Sequence, residues 1–178
     1  EKLIFLILLD SLNFCFWGDP KWQYYYNNRS LEGSLAMLAS LYMGVFNNRT
    51  LLDKNKLISL KMNDLNKIFS KDNNNQFIPM MEERLVNMQD VGNGLINIGS
   101  DYNRDLIDIV NNMHSETELF NFIYSYFRSY NQDKVVYKGK EIYFYKRLQL
   151  LISDINDIVY NENKFTLDRL TVFADYKI

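Results

Sequence analysis

Residues 3–9 are uninterrupted apolar positions, followed by Asp10-Ser-Leu-Asn13 and then Phe14-Cys-Phe-Trp17. A membrane helix needs about 20 apolar residues and a signal peptide needs a small-residue cleavage site after its apolar stretch, so this run is expected to enter a core. Asp10 and Asn13 stand inside it. Polar groups carried into an apolar interior must be paired or take part in chemistry.

Gly18-Asp-Pro20 interrupts the pattern. Ser30 is then placed to cap a helix over 31–45, in which Leu31, Leu35, Leu38, Leu41 and Tyr42 recur on one face and are expected to form core. Residues 57–69 read as one or two short helices with Asn63 as a cap, and the polar tract 71–76 reads as a loop. Pro79 opens the next helix at its first position, with Glu82 and Glu83 in the opening turns where the macrodipole favours acids, and the pattern runs to about Ile96. Ser115-Glu-Thr-Glu118 is a capping box ahead of Leu119, Phe120, Ile123, Tyr124 and Phe127, again one helical face. Over 135–145 the rhythm changes: β-branched and aromatic residues flank Lys138-Gly-Lys140, which predicts a small hairpin leading into a helix over 145–160. A last short helix over 167–173 would deliver Asp175. The predicted fold is all-α, with at most one small hairpin, in a single helical domain over 1–178.

Composition agrees with that reading. Of 178 residues 47% are hydrophobic, which excludes a disordered chain, and 7 Gly with 2 Pro leave too little turn chemistry for a sandwich or barrel. The net charge of −2 argues against a protein that holds nucleic acid through its overall field. The lone cysteine, Cys15, has no internal partner and suits a reducing compartment, so the cytoplasm is expected. No stable nucleic acid or membrane partner, no metal and no cofactor are expected, and the state expected is a monomer. The lone histidine, His114, reads as a surface residue.

Two groups of residues carry candidate chemistry. Lys134, Lys138, Lys140, Lys146 and Arg147 cluster where a hairpin meets a helix N-terminus, which is either a phosphate seat or a solvated basic turn. Asp10, Asp154 and Asp175 are each set among apolar neighbours, an environment that shifts a carboxyl pKa, although caps and ion pairs produce the same pattern.

Four segments bring these residues together: Asp10-Ser-Leu-Asn-Phe-Cys-Phe-Trp17, Ile78-Pro-Met-Met-Glu-Glu-Arg84, Tyr137-Lys-Gly-Lys-Glu-Ile-Tyr-Phe-Tyr-Lys-Arg-Leu-Gln149 and Leu170-Thr-Val-Phe-Ala-Asp-Tyr-Lys177. In their order and spacing they resemble the queuosine salvage protein family. The resemblance implies an all-α fold similar to helix–hairpin–helix DNA glycosylases and hydrolysis of the N-glycosidic bond of queuosine 5′-monophosphate to release queuine. It implies that Asp175 is the catalytic carboxylate and Lys146 an active-site lysine; Lys146 and Arg147 would then pair with the 5′-phosphate or support the site's charge balance, and Tyr145 beside them is expected to bind substrate. Asp10 or Asn13 would meet the base edge, and Phe14, Phe16 and Trp17 would stack on the base. Leu148 stands where relatives carry Ala, and Leu31-Glu-Gly-Ser34 lacks the Tyr-Trp usual there. The family pattern extends beyond both ends, so the chain is expected to be the central portion of a longer protein. Two other readings remain: a non-catalytic queuine or nucleoside binding module, and a helix–hairpin–helix DNA glycosylase.

Overall fold

A computed structural model of the chain describes residues 1–70, 77–99, 101–161 and 164–171, and over these it is mostly helical. The elements run α1 (Lys2–Ser11), β1 (Gln23–Tyr26), β2 (Arg29–Glu32), α2 (Gly33–Asn47), a 3-10 turn (Arg49–Leu52), α3 (Lys54–Ser59), α4 (Met62–Phe69) and α5 (Met81–Ile98). They continue with α6 (Tyr102–Asn111), α7 (Glu116–Tyr126), α8 (Arg128–Asn131), β3 (Lys134–Tyr137), β4 (Lys140–Tyr143), α9 (Lys146–Asp154) and a π-helical turn (Ile155–Val159).

The apolar run forms the central helix. Leu3, Ile4, Leu6, Ile7, Leu8 and Leu9 of α1 are all buried, as expected of a helix that is apolar all round, and α5 and α9 pack against it. The Tyr130 hydroxyl closes over α1 by donating to the Ile7 carbonyl at 2.5 Å. Helix α5 crosses its neighbours closely at two glycines. A Cβ on Gly92 would stand 2.9 Å from Leu57 and from the Lys54 carbonyl, and one on Gly94 would overlap the Phe127 ring and come within 2.7 Å of the Tyr126 carbonyl.

Several elements depart from the sequence expectation. Ser30 and Leu31 do not begin a helix; they lie on β2, paired with Tyr25 and Tyr24, so two antiparallel hairpins are present rather than at most one. The Tyr24-Tyr-Tyr-Asn-Asn28 stretch explains this: aromatic residues favour the strand, and Asn27 and Asn28 take the positive φ values, 47° and 59°, of a two-residue hairpin turn. Helix α2 therefore starts at Gly33, and the leucine stripe expected in the core faces outward, with Leu35 61% exposed and Tyr42 47% exposed. Leu41 alone of that stripe is buried; α2 packs through Met37 and through Ala36, Ala39 and Ser40, whose small side chains let its backbone approach β1 and α4.

The 57–69 region is two helices, but Asn63 lies within α4. Asp53 caps α3 by accepting from the Asn55 and Lys56 amides, and the Asp64 carboxylate accepts from the Lys61 amide at the start of α4. Pro79 precedes α5 by two residues, because Met80 turns through a left-handed conformation first. Ser115 does cap α7, accepting from the Glu118 amide at 3.3 Å. Helix α6 was not anticipated. The helix expected over 167–173 does not form through Thr171, where Leu167 has a φ of +59° and only a single turn follows. Among the described residues no helix is long and apolar enough to cross a membrane.

Candidate active site

The carbonyls at the end of α1 have no helical partners of their own, and cationic and amide side chains collect them. Asn87 donates to the Ser11 carbonyl at 2.8 Å, and one Arg147 terminal nitrogen donates to the same carbonyl at 2.9 Å while the other reaches the Ser129 carbonyl at 2.8 Å. Arg84, fully buried on α5, donates to the carbonyls of Leu12 (2.5 Å), Phe14 (2.6 Å) and Cys15 (2.7 Å), and through Nε to that of Pro79 (2.8 Å). The Phe14 ring lies against both guanidinium groups, 4.5 Å from that of Arg84 and 5.1 Å from that of Arg147. Burial lowers the Arg84 pKa to about 10, so the group stays charged at neutral pH.

This anchored loop forms one wall of a cavity of about 740 Å³, through Asn13, Phe14, Cys15, Phe16 and Trp17. The first hairpin region supplies Lys21, Trp22 and Glu32, the start of α2 supplies Gly33, Ser34 and Leu35, and α9 supplies Lys146. Trp17 is 57% exposed, whereas Trp22 is buried, its indole nitrogen donating to the Phe69 carbonyl at 3.1 Å. Glu32 is the lining carboxylate among the described residues. The Gln23 amide at 2.9 Å and the Lys21 ammonium at 3.5 Å hold its pKa below the usual range, so it stays ionised and has no proton to give.

Of the residues singled out in the sequence, Asn13, Phe14, Phe16, Trp17 and Lys146 are thus brought to one cavity. Asp10 lies behind that wall, 1% exposed, its carbonyl accepting from the Asn13 amide at 3.1 Å; burial and the Asp154 charge push its pKa well above the usual carboxylate range. Tyr145 faces a second cavity of about 320 Å³ with Phe120, Gln149 and Arg169. Asp175 lies outside the described residues. The basic cluster divides: Lys134 pairs with Glu141 on the second hairpin, Arg147 turns inward, and the first amide of α9 donates to the Asp133 carboxylate at 2.8 Å, taking up a position a phosphate would need. Sequence reasoning missed Lys21, Trp22 and Glu32, which the Tyr-rich strand and Asn-Asn turn could have flagged, and Arg84, for which the sequence carries only its place in the 78–84 segment.

The whole chain, residues 1–178, matches the queuosine salvage protein family. It is 30% identical over 177 residues to a queuosine 5′-phosphate N-glycosylase/hydrolase of Sphaerobacter thermophilus, covering 98% of this chain and 53% of the relative. Proteins of the same name from Dictyostelium discoideum and Mus musculus are 29% and 27% identical, covering 98% and 97% of this chain and 50% and 52% of the relatives. The chain therefore spans about half the length of the curated relatives it matches.

Proposed function

The chain belongs to the queuosine salvage protein family, and from that premise we propose that it carries part of an enzyme that hydrolyses the N-glycosidic bond of queuosine 5′-monophosphate. The observation that supports this most directly is the convergence of Phe14, Phe16, Trp17 and Lys146 on a cavity large enough for a nucleotide.

In the proposed reaction the bond between C1′ and the base nitrogen breaks, its electron pair leaves with the base, and positive charge develops on the ribose. A carboxylate close to C1′ stabilises that charge and orients a water, whose oxygen bonds to C1′ while one of its protons ends on the departing base. The products are queuine and ribose 5-phosphate. Asp175 takes the carboxylate's role by resemblance. Lys146 presents a positive charge to the cavity that favours the leaving base or the phosphate. Phe16 and Trp17 offer the stacking surface for the flat 7-deazapurine, and the Asn13 amide offers donor and acceptor to its edge. Asp10 acts from behind, fixing Asn13, rather than touching the base. The family's likeness to helix–hairpin–helix glycosylases belongs to the same proposal and has the mostly helical fold in its support. A cytoplasmic setting has the free Cys15 in its favour.

The test is to incubate the intact protein with queuosine 5′-monophosphate and follow free queuine by chromatography. Release by the wild type, and none by a folded Asp175→Asn variant, is expected. Undiminished release by that variant removes the mechanism, and tight binding of the nucleotide without release turns the reading to a binding module.

A further inference from the structure

We propose that Arg84, which does not line the cavity, is the positioning residue that shapes its aromatic wall; the consequence for turnover rests on the function proposed above, whereas the consequence for the loop does not. The wall leaves the end of α1 through two backbone hydrogen bonds, from the Asn13 amide to the Asp10 carbonyl at 3.1 Å and from the Phe14 amide to the Leu12 carbonyl at 2.9 Å. Cys15, in its middle, holds a left-handed φ of 40°, a conformation a residue with a Cβ adopts only when its surroundings impose it. What imposes it is one side chain. The Arg84 guanidinium bridges the carbonyls on both sides of this strained residue, those of Leu12, Phe14 and Cys15, and packs its face 4.5 Å from the Phe14 ring and 5.3 Å from the Phe16 ring.

The partners are also unusual for a buried charge. Among the described residues no carboxylate forms an ion pair with Arg84; its donors go to backbone carbonyls and, at 3.8 Å, the Met37 sulfur. A buried cation compensated by carbonyls of one loop ties that loop's conformation to its own position, since each carbonyl that swings away leaves the charge less solvated. The planar fork reaches several acceptors at once, which a lysine ammonium at a single point does not. Arg84 thereby sets where Phe14 and Phe16 stand, and Trp17 after them.

Cys15, the only cysteine in the chain, is a native probe of this arrangement. The experiment compares Arg84→Lys with wild type and with Leu106→Ala, a core change on α6 away from the cavity that controls for lost stability. The rate at which Cys15 reacts with 5,5′-dithiobis(2-nitrobenzoate) is measured under conditions where all three are folded. Arg84→Lys is expected to react at least about 10-fold faster than wild type, with Leu106→Ala close to wild type. With queuosine 5′-monophosphate, Arg84→Lys is expected to raise KM about 10-fold with kcat within about 3-fold, and the control to leave KM unchanged. A thiol rate in Arg84→Lys equal to that of the control overturns the proposal. If Arg84→Lys does not fold, Phe14→Leu replaces it, removing the ring that the guanidinium packs against; an unchanged thiol rate there overturns the proposal equally. Absence of queuine release by wild type defeats the functional reading alone, because the thiol rates still decide the role of Arg84.

Discussion

The carboxyl groups of Asp10 and Asp154, one near the end of α1 and buried, the other at the end of α9 and half-buried, lie close enough to act on each other electrostatically. Burial is the main cause that raises both pKa values, and each acid has another carboxylate near it: Asp154 for Asp10, and Asp157 for Asp154. The Oδ2 atom of Asp10 is buried with no donor facing it, and a proton held between the two acids would supply one.

This pair makes stability depend on pH with a defined sign. An acid whose pKa is raised on folding binds more protons in the native state than in the unfolded one between the two values, so stability falls as pH rises. The loss begins near the unfolded value, about 4, and continues until the raised folded value is passed. Asp10→Asn removes the titration and lets the amide donate to Asp154. The urea midpoint of the variant is expected to exceed that of wild type at pH 8 and to change less between pH 5 and pH 8. A wild type whose stability rises over that interval, with the variant following it, would contradict the shared proton.

Gly94→Ala tests the packing of α5. Alanine is the better helix former by about 1 kcal/mol, yet the added methyl meets the Phe127 ring and the Tyr126 carbonyl. Overpacking of this kind costs about 1–3 kcal/mol, and a net loss of stability by chemical denaturation is expected. A gain would show that α5 and the 126–127 segment are further apart than described.

The two tryptophans report on different parts of the cavity. Trp17 is half exposed and Trp22 is buried, so acrylamide is expected to quench the emission of wild type and to have little effect on Trp17→Phe. Trp22→Phe loses the hydrogen bond to Phe69 and leaves that carbonyl unsatisfied, a destabilisation of about 1–3 kcal/mol. Equal quenching in both single variants would contradict the placement.

The charges near α9 are expected to separate in function as they do in space. Lys146→Met removes a cavity charge and should lower kcat/KM for queuosine 5′-monophosphate by about 10²-fold, the scale seen when one preorganised electrostatic partner is lost. Lys138→Ala and Lys140→Ala, on the exposed second hairpin, should leave it unchanged. A comparable loss in all three would restore the phosphate seat at the hairpin.

By itself the sequence determined the elements whose signals are local. The burial of the apolar run at 3–9, the Ser115 cap of α7 and the Lys138-Gly139 turn of the second hairpin follow from an unbroken apolar stretch, one hydroxyl and one turn conformation, and all three stand in the structure, whereas the helical form of that run does not follow from the stretch itself. The four motifs were also enough to name the family. Tertiary structure decided which of two apolar stripes on α2 faces the core: small Ala36, Ala39 and Ser40 permit close approach, and the leucines at 35 and 38 do not, a choice that depends on the neighbour and not on α2. It also decided which polar residues meet. Arg84 serves carbonyls about 70 residues earlier in the chain and Asp10 stands near an acid more than 140 residues later, and pairings of that kind are made by how α1, α5 and α9 pack, which no local pattern encodes.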